Sequence, residues 1–86
     1  MESRFFIKTA GELIKKIKES QQTLDTPEAL RVQREALQKD INQMFIGLQN
    51  PTLPSAYNLR DAALRAGFFV DPKVINRLSQ FEFLTA

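Results

Sequence analysis

The chain has 86 residues, enough for one small domain that buries roughly 60–65% of the surface its unfolded form exposes, so its stability is thin unless a partner adds burial. Hydrophobic content of 43% and charged content of 26% fit a globular protein, and no apolar run reaches the length of a membrane span. Histidine and cysteine are both absent, which removes the commonest general base, the commonest metal ligand and any disulfide framework, while a net charge of +2 is too mild to mark a nucleic-acid binder by itself.

The first segment, 1–8, reads as an N-terminal arm, with a short strand or a helix extension as the other readings. Its apolar run, Phe5-Phe6-Ile7, is too short for a signal-peptide core. With cysteine absent as well, a cytoplasmic location is expected. Thr9-Ala10-Gly11-Glu12 has the pattern of a capping box, threonine at the cap and glutamate three residues on. A helix is predicted from there, with Ala10, Leu13, Ile14 and Ile17 on one face and Lys15, Lys16, Lys18 and Glu19 on the other. It frays through Ser20-Gln21-Gln22-Thr23, and Leu24-Asp25 turns the chain.

The second helix has the clearest ends. Thr26 caps it and Pro27 takes the first helical position, where a missing N–H costs nothing. Asn50-Pro51 stops it. The result is a rod of about 24 residues and about 36 Å. Leu30, Leu37, Ile41, Met44, Phe45 and Leu48 recur at helical spacing, and the apolar weight sits in the C-terminal half. That half is expected to form most of the core. A connection of a few residues makes the first two helices antiparallel neighbours, a hairpin over 9–49.

Residues 50–55 form a proline-rich connector. A third helix is predicted from Ser55 or Asn58, with Leu59, Ala62, Ala63 and Ala66 on one face and Gly67 as a left-handed stop. Asp71-Pro72 opens a fourth helix by cap-plus-proline logic, with Val74, Ile75, Leu78 and Phe81 inward. The predicted fold is all-α: a long antiparallel helical hairpin, then two shorter helices and an apolar tail over 56–86, a small four-helix bundle-like single domain.

Little in the chain fits catalysis. Ser3, Ser20, Ser55 and Ser79 have no histidine to activate them and read as capping or solvated hydroxyls. Asp25 and Glu28 suit the positive end of the second helix. Gly11, Gly47 and Gly67 stand singly, so no phosphate loop forms. No catalytic residue, cofactor, metal or small-molecule substrate is expected.

Residues 59–78 have the outline of a helix-turn-helix: helix, glycine, short link, capped helix. Ala63, Gly67-Phe68 and Asp71-Pro72 resemble the helix-turn-helix of AraC-type activators over about 20 residues, with one extra residue in the turn, a rotation of about 100° for the second helix. The resemblance implies DNA binding, with Arg60, Arg65, Lys73 and Arg77 at phosphates and Asn76 and Gln80 near base edges.

Six of the seven phenylalanines lie outside the long helix. Adjacent pairs, Phe5-Phe6 and Phe68-Phe69, cannot both face inward on a regular element, which leaves rings for a contact surface. The leading expectation is therefore a non-enzymatic protein–protein interaction module: an adaptor, small chaperone, inhibitor or assembly factor. Its partner is another protein or a second copy of itself, as a dimer. The expected contact residues are Phe5, Phe6, Leu37, Ile41, Met44, Phe45, Phe68, Phe69, Phe81 and Phe83, with Arg31, Arg34 and Lys39 on the rim. The alternative is a small DNA-binding regulator using 59–78.

Overall fold

The computed structural model describes residues 2–22, 26–48 and 50–85, with side chains described outside 2–5 and 83–85. Four helices follow one another: α1 (Glu2–Gln22), α2 (Pro27–Ile46), α3 (Pro54–Arg65) and α4 (Pro72–Thr85). No strand occurs among the described residues, and the predicted all-α class holds.

The N-terminal boundary differs from the expectation. Residues 2–8 are a helix extension rather than an arm, and Thr9 is not a cap; both lie inside α1, a helix of 21 residues. Phe6, Ala10, Leu13 and Ile17 are all buried, a stripe at spacings of four, three and four. Burying Phe6 contributes roughly 1.5–3 kcal/mol, against about 1 kcal/mol for a threonine cap. The longer stripe wins, and the cap pattern goes unused. Ser20 is not at a frayed end either. It is buried, and its hydroxyl donates to the Ile17 carbonyl at 2.7 Å.

α2 starts as its sequence dictates. Thr26 is extended, its hydroxyl accepts from the Ala29 N–H at 3.3 Å, and Pro27 sits in the first turn. It ends at Ile46, short of Asn50-Pro51. Gly47 is a poor helix former, and beyond it Leu48 turns into the core. At 20 residues α2 is no longer than α1. Its buried residues, Leu37, Ile41 and Phe45, do all fall in the C-terminal half.

Asn50 folds the connector by accepting from the Thr52 N–H at 3.0 Å, and the Tyr57 hydroxyl ties it down by donating to the Pro51 carbonyl at 2.7 Å. α3 begins at Pro54, one residue before Ser55, with Leu53 in the cap position. Its Ala56, Leu59 and Ala63 are fully buried. Small residues on this face, and Ala10 on α1, let two helices approach closely. α1 packs against both α2 and α3, and α3 packs against α4. The core is thus shared among all four helices, with α1 and α3 each packed against two others, where the sequence had pointed to α2.

An ion-pair lattice joins α3 to α4. Arg60 donates to both carboxylate oxygens of Glu82, at 3.1 and 3.3 Å, and reaches Asp61 at 3.0 Å. Its side chain is only 11% exposed, and its guanidinium lies over the Tyr57 ring. The hydrogen bond to Glu82 raises the Arg60 pKa, burial opposes, and the bonds to Asp61 reinforce the rise. A raised pKa means that this contribution to stability is complete below arginine's unfolded pKa, so it holds across the ordinary pH range. The molecule measures 43 × 26 × 20 Å, and its radius of gyration of 13.2 Å exceeds the about 12 Å of a compact chain this long. Elongation leaves long grooves between helices.

Candidate partner-binding surface

The most strongly organised surface lies where the α3–α4 link crosses α2. α3 closes in a Schellman motif. The Phe68 N–H donates to the Ala63 carbonyl at 2.9 Å, and the Gly67 N–H donates to the Leu64 carbonyl at 3.1 Å. Gly67 has φ +83°, the left-handed region that favours glycine. That ending drops Phe68 onto the core beside Ala63. Side chains along the link then alternate: Phe68 in, Phe69 out, Val70 in. Phe69 is 61% exposed.

Two α2 side chains hold this link. The Gln38 amide acts like a neighbouring strand: its Nε2 donates to the Phe69 carbonyl and its Oε1 accepts from the Phe69 N–H, both at 2.8 Å. Its Nε2 also donates to Asn42 Oδ1 at 3.0 Å. One turn earlier, both terminal nitrogens of Arg34 donate to the Ala66 carbonyl at 3.2 Å. The same guanidinium lies 4.3 Å from the Phe68 ring centroid. At the far end, Asp71 caps α4 by accepting from the Lys73 N–H at 2.9 Å. Phe69 is therefore presented from a backbone fixed at three points.

Beside Phe69 is an open groove of about 260 Å³. Phe45 and Ile46 from α2, Phe69 from the link and Val74 from α4 give its apolar walls, and Asn42 and Asp71 its polar edges. Ile46, 83% exposed, stands about 180° around α2 from Leu37. On the other side of the Gln38 contact is a shallower shelf of about 450 Å³, where Leu30 and Phe68 lie between Arg31, Arg34 and Glu35.

The expected contact residues separate into three groups. Phe6, Leu37, Ile41, Phe45 and Phe68 are buried in the core of the single chain, and edges of Phe45 and Phe68 reach the groove and the shelf. Met44 and Phe81 are half-buried, and Phe69 is exposed. Phe5 and Phe83 lie outside the side chains described. Of the expected rim, Arg31 and Arg34 line the shelf, while Lys39 is exposed and borders neither depression. Ile46, Val74 and Gln38 were missed. Ile46 had a readable signal, since it falls off the Leu37–Ile41–Phe45 stripe.

The possible nucleic-acid residues do not form one surface. Lys73, Asn76, Arg77 and Gln80 share an exposed face of α4, and Arg65 is exposed at the end of α3. Arg60 is withdrawn into its carboxylate pair, and Arg77 donates to the Leu48 carbonyl at 3.1 Å. Among the described residues, no three acidic side chains gather as metal ligands do, and no helix is long and apolar enough to cross a membrane. Comparison with protein-family models, with curated proteins and with solved structures finds no match.

Proposed function

We propose that this chain is a non-enzymatic helical interaction module that binds another protein through the groove at Phe69. The observation that carries the reading is the pairing of an outward phenylalanine with a backbone that Gln38 and Arg34 hold rigid. Fixing a contact residue before binding lowers the ordering cost of association. An aromatic anchor beside an apolar recess, rimmed by polar groups, is also how interaction hot spots are built. The occupant is an amphipathic segment with one or two apolar side chains between Phe69, Ile46 and Val74. The groove's about 260 Å³ compares with about 150 Å³ for a cavity that takes up benzene. Arg31, Arg34 and Glu35 on the adjoining shelf set the direction of the bound segment.

Phe69→Ala and Ile46→Asp change exposed side chains, so helicity measured by circular dichroism should stay at the wild-type level. Each should lower capture of the partner at least about tenfold, while Lys16→Ala leaves it unaltered. If the partner is a second copy, light scattering of the wild type at high concentration gives a dimer mass that Phe69→Ala returns to the monomer. Unchanged capture in both groove variants contradicts the reading.

The DNA-binding alternative draws its support from the shared face of Lys73, Asn76, Arg77 and Gln80. It requires retardation of duplex DNA at about 50 mM salt, with affinity that falls steeply as salt rises. The burial of Arg60 and the Asp71 carboxylate at the opening of α4 both weigh against it.

A further inference from the structure

A second groove, of about 360 Å³, runs between α1 and α3. Its apolar lining comes from Ile14 and Ile17 on α1 and Ala62 on α3. Lys18 and Arg65, one from each helix, stand over it, and both are exposed. Neither has an ion pair among the described residues. The one carboxylate in the wall, Asp61, is already 3.0 Å from Arg60. The groove thus combines apolar side chains with two cations that have no ion pair among the described residues, and the amides of Gln21 and Asn58 line it as well.

We infer that the α1–α3 groove receives an acidic amphipathic segment of a partner protein. Aliphatic side chains of the segment rest on Ile14 and Ala62, backed by buried Ile17, and its carboxylates meet Lys18 and Arg65. Charge complementarity selects this occupant. A bare phosphate backbone is matched less well, because it draws on several cations and gains nothing from an apolar floor. The inference does not depend on the Phe69 groove, and the two are separable by mutation.

The test uses the full chain and a fluorescent helical peptide of about 15 residues. The peptide carries a leucine stripe at i, i+4 flanked by glutamates, and a control peptide replaces each glutamate with glutamine. At about 50 mM salt the glutamate peptide should bind at least about tenfold tighter, and the difference should shrink at about 500 mM as screening sets in. Lys18→Glu with Arg65→Glu should abolish the preference, while Phe69→Ala retains it. If that double variant loses helicity, Lys18→Ala and Arg65→Ala, tested singly, should each reduce the preference severalfold. Equal affinity for both peptides, no binding by either, a preference that survives charge reversal, or tighter binding of a labelled DNA duplex at the same groove would overturn the inference.

Discussion

At the residue scale, three positions carry separable consequences. Gly67 has φ +83°, and a Cβ there would meet only Arg34 Nη2 at an ordinary 3.5 Å. The penalty for Gly67→Ala is therefore backbone strain rather than crowding. Urea denaturation should show a loss of roughly 1–2 kcal/mol, with Gly67→Asn losing less. Gly11 is the opposite case. It lies in the interior of α1 with open space where a Cβ would be. Gly11→Ala should raise stability by about 1 kcal/mol. Thr9→Ala tests the same helix from another side. A capping threonine would cost about 1 kcal/mol on truncation, as Thr26→Ala should. A mid-helix threonine should leave stability within about 0.5 kcal/mol. The residues that the sequence identified without help were those acting locally: Thr26, Pro27, Gly67, Asp71 and Pro72. Each satisfies or removes backbone groups within three residues of itself, so the chemistry is complete in a short window.

At the scale of elements, what was hidden depended on distance along the chain. The start of α1 turned on whether Phe6 would find a core, and no local pattern reports that. The hold of Arg34 and Gln38 on the link is not legible locally, because their backbone partners, Ala66 and Phe69, lie 32 and 31 residues away. The Phe68-Phe69 pair was half legible. Alternation required one ring out, but which ring followed from the Schellman motif, which places the residue after Gly67 against Ala63. These contacts make the link part of α2's surface rather than a free loop. Gln38→Ala removes both bonds to Phe69, each with a net contribution of about 0.5–1.5 kcal/mol. Amide exchange at Phe69 should then accelerate severalfold while exchange at Leu59, in the core of α3, changes less. Equal acceleration at both sites would mean that Gln38 supports the whole fold and not the link alone.

At the scale of the molecule, α1 carries α2 and α3, and α3 in turn carries α4, joined to it by Arg60 and Glu82. The sequence's emphasis on α2 came from its well-marked ends, and marked ends are not evidence of centrality. What α2 supplies is a platform. Its row of Arg34, Gln38 and Asn42 leads to Ile46 and brings the link, the shelf and the groove into one strip. The central claim is that a protein partner occupies this strip at Phe69. The most direct measurement replaces Phe69 with a photo-cross-linking phenylalanine analogue in the full chain and, as a control, places the same analogue at exposed Lys16. After irradiation in cells, the Phe69 position should give a discrete adduct heavier than one chain, identified by mass spectrometry as one protein or a second copy and lost on Ile46→Asp. Equal yields from both positions, or an adduct indifferent to Ile46→Asp, would contradict the claim.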